Sequence, residues 1–321
     1  RAGVSPAPHG ILLVDKASER TSHDVVARVR WLLRTKKVGH AGTLDPMATG
    51  LLVLGVGQGT RLLTYLVGLG KTYEATIRLG RATTTDDREG ELLGEQVDAT
   101  GLSEEQIEHR LRTLRGDIQQ VPSTVSAIKI DGKRAYARAR AGEDVQLAAR
   151  PVRVSRFEVT ARRREAEHLD LDAVIGCSSG TYVRALARDL GASLDVGGHL
   201  TALRRTAVGP FAVAESVHVP GRGEGDDVQL PLQGLGRIAA QVLSSLVVDD
   251  AQATALGTGQ RIGAQGSVPE PARGGDLEII GAADEERPVA ALDHEGRLVA
   301  ILEPEGARWR PVLVVPAEAR C

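Results

Sequence analysis

Short apolar runs alternate with amphipathic stretches along the chain, so strands and helices are mixed from the start. The run ILLVD at 11–15 predicts a short buried strand. In the stretch that follows, Val25, Val26, Val29, Leu32 and Leu33 recur at helical spacing, which predicts a helix over 23–34 with Ser22 as its N-cap. Arg28 and Arg34 fall on the opposite face, with Lys36 and Lys37 beyond. LLVLGVG at 51–57 predicts a second buried strand. In TYEATIRL at 72–79, Tyr73, Ala75, Ile77 and Leu79 share one strand face. Ser103 and Gln106 form a capping box ahead of Ile107, Leu111 and Leu114. Asp131-Gly132 between two short runs predicts a hairpin. HLDLDAVIGC at 168–177 alternates as a strand, and TYVRALARDLG at 181–191 predicts a helix capped by Thr181 and stopped by Gly191. A Gly-, Pro- and acid-rich connection at 219–234 leads to a helix near 236–246 and a tail of short strands. With no internal repeat and no regular βαβ alternation, the pattern predicts an α+β fold with a mixed, mostly antiparallel sheet flanked by helices. Two domains are expected, 1–235 and a small β-rich 236–321.

Composition narrows the classes. The chain has 321 residues, is 42% apolar and carries a formal net charge of −2, so bulk charge does not announce a nucleic-acid partner, although local patches outweigh the sum. Two cysteines argue against a disulfide framework or a zinc cluster. Cys177, in an alternating run, is expected to be a small buried hydrophobe and Cys321 to be frayed. No apolar run approaches the ~20 residues that span a bilayer and no signal-peptide pattern opens the chain, so a reduced cytoplasmic setting is expected. GVGQGT at 55–60 lacks the glycine spacing and the strand–turn–helix context of a dinucleotide loop.

Few residues stand out as chemical candidates. Asp45 lies in GHAGTLDPMATG (39–50), where Pro46 denies it helical backbone and Gly42 and Gly50 let the chain bend. By spacing alone it reads as an Asp that holds its own turn, or as a carboxylate aimed outward. Arg184 and Arg188 share a helix face. They read as a solvated basic stripe, or Arg184 as the partner that keeps a buried carboxylate ionised. Tyr73 reads as core, or as a ring that stacks on a base. No nucleophile–His pair, metal-binding spacing or phosphate loop competes.

Four blocks, in order, carry a resemblance: GILLVDKASERTSHDVVARVRWLLRTKKVGHAGTLDPMATGLLVLGVGQGTRL, KTYEATIRLG, SAIKIDGKRAYARARAG and CSSGTYVRALARDLGASLDVGGHLTALRRTAVGPF. Together they resemble the TruB family of tRNA pseudouridine synthases, and the tail resembles a PUA-type RNA-binding module. The resemblance implies isomerisation of uridine 55 in the tRNA T loop, with no cofactor or metal, no membrane and no obligatory protein partner, by a monomer. It aligns Asp45 with the catalytic aspartate, Tyr73 with the active-site tyrosine and Arg184 with its arginine. It places His40, Lys16, Lys129, Arg140, Tyr182 and Leu203 near substrate or RNA and gives Asp87 a supporting place. Three of the four tyrosines, Tyr73, Tyr136 and Tyr182, fall inside these motifs. Departures occur at Ala17, where the family has proline, and at Ser123 and Val125. Arg34–Lys37 and Arg150–Arg164 are candidate phosphate contacts, or a helix end and a solvated strand. A tRNA-folding factor and a guide-RNA-dependent subunit remain as alternatives.

Overall fold

In the computed structural model, residues 7–124, 147–264, 268–275 and 287–321 are described, together with the backbone of 129–130 and 133–134. The chain forms two compact units, one of residues 1–70 and 206–321, the other Lys71–Arg205. The expected boundary at 235 falls inside the first unit.

The first unit starts with strand β1 (Gly10–Lys16), helix α1 (Ser22–Leu32), β2 (Val38–Ala41), β3 (Thr49–Val56) and α2 (Gly59–Leu66). β3 pairs antiparallel with β1 from Gly10↔Val56 to Lys16↔Gly50 and with β2 from Val38↔Val56 to Ala41↔Val53. Buried along almost its whole length, it carries the near-continuous apolar run of a strand with no solvent face. The GVGQGT stretch does lie between a strand and a helix here, against expectation; its glycines serve packing. A Cβ on Gly59 would sit 2.0 Å from the Gly10 carbonyl oxygen.

The cap of α1 differs from the expected one. Thr21 is the N-cap, accepting from the Asp24 N–H while Asp24 accepts from the Thr21 N–H. Ser22 lies inside the helix, and its hydroxyl is used elsewhere. Arg28, expected on the outer face, is buried: it pairs with Asp226, donates to the Pro220 carbonyl at 3.0 Å and lies over the Trp31 ring. The acid-rich connection therefore folds back on α1, and Arg20 holds the Val219 carbonyl at 2.8 Å.

The second unit is built on β4 (Lys71–Leu79), the short pair β5 (Ala82–Thr83) and β6 (Leu92–Leu93), α3 (Glu104–Thr113) and β7 (Gly116–Gln120). The backbone of β8 (Lys129–Ile130) pairs with that of β9 (Lys133–Arg134), the two-residue-loop register expected around Asp131-Gly132, which themselves lie outside the described residues. β10 (Arg150–Glu165), β11 (His168–Cys177), α4 (Val183–Ser193) and β12 (Gly198–Val208) complete it; the last three residues of β12 belong to the first unit. The strand order is β12-β4-β11-β10-β7. β4 and β11 run antiparallel from Lys71↔Cys177 to Leu79↔Leu169, so the alternation read from each sequence sets one apolar face against α4.

α4 does not stop at Gly191. It runs to Ser193, its N-cap is Tyr182 rather than Thr181, and no side chain caps it. Gly191 is there for contact: a Cβ would lie 2.2 Å from the Gly198 nitrogen.

The first unit resumes with β13 (Phe211–Ala212), α5 (Leu235–Val242), β14 (Ser244–Val247), α6 (Asp250–Gly257) and β15 (Ile262–Gly263), followed by β16 (Val289–Leu292), β17 (Leu298–Glu305) and β18 (Arg308–Val314). The last five strands form a sheet in the order β14-β16-β17-β18-β15, parallel only at β14–β16 among the pairs described. The α+β class stands. One core joins Ile11, Leu51 and Leu66 through Leu235 and Ile238 of α5 to Ile301 and Leu313. Cys321, expected to fray, is anchored because its carbonyl accepts from the Gly236 N–H at 2.9 Å.

Candidate active site

The predicted residues fall into two groups. Lys16, His40 and Asp45 lie in the first unit; Tyr73, Tyr182, Arg184 and Leu203 lie in the second. Only the backbone of Lys129 is described, and Arg140 lies outside the described residues.

Asp45 sits in the connection between β2 and β3. Pro46 fixes the turn, closed by the Ala48 N–H donating to the Asp45 carbonyl at 3.0 Å. Gly42 and Gly50 take φ of 92° and 103°, conformations that a side chain would strain. Buried Ser22 clamps the residue before Asp45: its Oγ accepts from the Leu44 N–H at 2.9 Å and donates to the Leu44 carbonyl at 3.1 Å. Lys16 holds the other side. Lys16 is 1% exposed, and its ammonium donates to the carbonyls of Ala17 at 3.0 Å, Arg20 at 2.6 Å and Pro46 at 3.3 Å. The Glu19 N–H adds a bond to Pro46 at 2.7 Å. A half-buried carboxylate thus stands on a turn anchored by β1, α1 and both flanking strands. His40 lies on β2 opposite Leu54.

In the second unit, Tyr73 faces inward from β4 opposite Ile175, and Leu203 is buried on β12. Arg184 and Tyr182 share the start of α4. Arg184, 3% exposed, donates to the Thr85 carbonyl at 3.0 Å and lies 3.8 Å from an Asp87 carboxylate oxygen. Asp87 is held by the Thr85 hydroxyl at 2.6 Å and the Glu89 N–H at 2.9 Å. The buried amide of Gln120 grips Tyr182 twice, accepting from its N–H at 2.9 Å and donating to its carbonyl at 3.1 Å.

Two residues that the sequence reading missed, Lys71 and Asp86, stand here beside Cys177, which is buried as expected. Lys71, at the inward end of β4, donates to the Ser179 hydroxyl at 3.2 Å. Burial first, then the positive charge of Arg205, brings its amine down to about 8, with Cys177 opposing. Burial pushes the Cys177 thiol up to about 11, against a hydrogen bond with Thr181, so it is an inert core sulfur. Asp86, beside Asp87, is buried, and that burial raises its carboxyl above the usual range against the Ser123 hydroxyl, Arg188 and Arg184. The KTY motif did contain Lys71, but nothing in alternation distinguishes a buried ammonium from a strand-end lysine.

Four arginines of β10 have local ion-pair partners: Arg153 with Asp117, Arg156 with Glu158, Arg162 with Glu104 and Arg163 with Asp172. That arrangement suits a solvated strand. Arg34, Lys36 and Lys37 are exposed. Among the described residues no group of three or more His, Cys, Asp or Glu is placed to hold a metal ion.

Comparison with known proteins places this geometry. Residues 30–183 match the model of the TruB family pseudouridylate synthase N-terminal domain, and 184–219 match the tRNA pseudouridylate synthase B C-terminal domain. A tRNA pseudouridine synthase B from Arthrobacter sp. (strain FB24) is 50% identical over 309 residues, 95% of this chain and 96% of its own length. The chain belongs to the TruB family. Another TruB relative, the tRNA pseudouridine synthase B of Nocardia farcinica (strain IFM 10152), is 53% identical over 306 residues, covering 95% and 93%. Among solved structures, the fold matches a chain of an H/ACA RNP bound to a substrate RNA containing 2′-deoxyuridine, with TM-score 0.66, 22% identity and coverage of 97% and 87%. It also matches a chain of a Cbf5-Nop10-Gar1 complex, with TM-score 0.66, 24% identity and coverage of 96% and 85%. At that identity the likeness speaks to the TruB fold alone.

Proposed function

We propose that this chain isomerises uridine to pseudouridine in tRNA, at uridine 55 of the T loop. One observation carries the reading: about half of the residues are identical, over nearly the whole chain, to relatives called tRNA pseudouridine synthase B. The reaction breaks the uracil N1–C1′ bond, forms C5–C1′, and moves a proton from C5 to the nitrogen side of the ring. It consumes no cofactor, and the sugar passes through an electron-poor C1′, as in glycoside cleavage.

In this reading Asp45 supplies the carboxylate, attacking C1′ or removing the 2′ proton. The anchored turn supports it: a nucleophile held at fixed attitude avoids paying orientation in the reaction. Tyr73 supplies a ring to stack on the extruded base. Arg184 supplies a buried cation that favours ionised carboxylate. His40, Lys129, Arg140, Tyr182 and Leu203 contact the RNA or the base. Lys16, with its ammonium on loop carbonyls, works by holding the Asp45 turn. The 236–321 segment acts as a PUA-like RNA-binding part. The chain works in the cytoplasm, as a monomer without an obligatory protein partner. Among the described residues, no helix is long and apolar enough to cross a membrane.

The test is tritium release from tRNA transcript labelled at uridine C5, with purified chain and no cofactor, beside Asp45→Asn. Release by wild type at one T-loop uridine, and loss of at least a thousandfold in the variant, is expected. A well-folded wild type that binds tRNA but releases no tritium overturns the reading in favour of a folding factor or a partner-dependent subunit.

A further inference from the structure

One largely buried cluster in the second unit, with Arg188 half-buried at its edge, takes no direct part in the reaction. Asp86 takes a left-handed backbone, φ 63°, which side chains other than glycine adopt at a cost. Its Oδ2 accepts from the Ser123 hydroxyl at 2.7 Å and from Arg188 Nη1 at 3.2 Å, and its carbonyl accepts from the Leu200 N–H at 3.0 Å. Arg188 uses its other nitrogens on the Val121 carbonyl, at 2.6 Å, and on Asp189, at 2.9 Å. Ser123 is fully buried.

This pair is a poor device for stability. Removing a carboxylate from water costs several kcal/mol, and buried ion pairs are often matched by apolar replacements. What it offers is connection. Arg188 lies one turn along α4 from Arg184, Asp86 precedes the Asp87 that faces Arg184, and Val121 and Ser123 follow the Gln120 that grips Tyr182. Three segments distant in sequence meet at one carboxylate, and each carries a contact to Tyr182 or Arg184.

We propose that Asp86 and Arg188 are positioning residues for the reaction, locking loop 83–90 and segment 120–123 against α4 so that Tyr182 and Arg184 keep one attitude. The proposal rests on the reading of the chain as a pseudouridine synthase. The charged groups that face Asp86 are Arg184, Arg188 and Asp189 from α4; segment 120–123 presents the Ser123 hydroxyl, and β12 its backbone N–H. Because burial raises the Asp86 carboxyl, acid protonates it in the folded state before it does so in the unfolded chain. That proton favours the fold, since the native state binds it more tightly than the unfolded chain, yet it dissolves the ion pair. Activity and stability therefore part company on acidification.

The experiment compares single-turnover pseudouridine formation, tRNA affinity and thermal stability for wild type, Asp86→Asn, Arg188→Met, Arg188→Lys and the double variant Asp86→Asn/Arg188→Met. Each single neutral variant is expected to slow the chemical step about tenfold or more, since misplacement near 1 Å can cost a hundredfold, with tRNA affinity within about threefold. Arg188→Lys recovers part of the rate, and the double variant is no slower than Arg188→Met. As the pH is lowered through the raised titration of Asp86, the wild-type rate falls relative to Asp86→Asn, while its stability relative to that variant rises. Wild-type rates in a folded Arg188→Met, or losses in the double variant that multiply, overturn the proposal. If Arg188→Met does not fold, Asp86→Asn and Arg188→Lys decide it by the same criteria. If wild type itself releases no tritium, the functional reading fails separately. Amide exchange over 120–124 and 182–186 then tests the lock, and protection unchanged in Arg188→Lys and Asp86→Asn sinks it.

Discussion

Ser22→Ala removes one oxygen from the centre of the Asp45 support. That oxygen serves both backbone groups of Leu44, and Ser22 and Leu44 are each 3% exposed, so no water replaces it directly. A buried N–H left unpaired costs about 1–3 kcal/mol, and the carbonyl, with a second lone pair, costs less. Together the loss comes to roughly 2–4 kcal/mol. For a unit of this size each kcal/mol moves the midpoint by about 2–4 °C, so a drop of roughly 4–16 °C is expected in scanning calorimetry. The rate should fall too, because Leu44 is bonded directly to Asp45. About tenfold in single-turnover tritium release corresponds to a shift of well under 1 Å at the carboxylate. Thr21→Ala is the comparison. It deletes the true N-cap next door, costs about 1 kcal/mol, and leaves Leu44 untouched. It should lower the midpoint slightly and keep the wild-type rate. If Ser22→Ala melts and turns over like wild type, or if Thr21→Ala slows the reaction equally, the clamp does not position Asp45.

Two further outcomes follow from single contacts. Gly191→Ala would stabilise by about 1 kcal/mol on helix propensity alone, but the added methyl meets Gly198 and Gly197 backbone at 2.2 and 2.3 Å, which cannot swing away. A net loss of about 2 kcal/mol or more in urea unfolding is expected, and a gain would refute the close approach. Lys71, brought to about 8 by burial, releases its proton in the folded state well before the unfolded chain does. The unfolded state then holds more protons between about pH 8 and 10, so stability relative to Lys71→Met should rise across that window. A flat difference between the two proteins would show that the amine is not desolvated.

Some of this was written in local patterns. The alternation in 72–79 and 168–177, the capping box at Ser103 and Gln106, and the Pro46 turn were all legible, because each depends on neighbours a few residues apart. Misreadings came where a distant partner claimed the residue. Ser22 looked like a cap, yet Leu44 took its hydroxyl and left the cap to Thr21. Gly191 looked like a helix stop, yet the chain at 197–198 needed the space. Arg28 looked solvated, yet Asp226 and Pro220 cover it.

The sequence by itself determined the class of fold, the order of its elements and, through Pro46, the turn that carries Asp45. Backbone geometry and side-chain periodicity are short-range, so a linear reading captures them. Only the tertiary structure decided that Lys16 is buried on loop carbonyls, that Gln120 grips Tyr182, and that Asp86, Ser123 and Arg188 form one cluster. Hydrogen bonds and burial join residues that the chain separates by tens of positions, and a buried polar group shows its purpose only when its partner is in place.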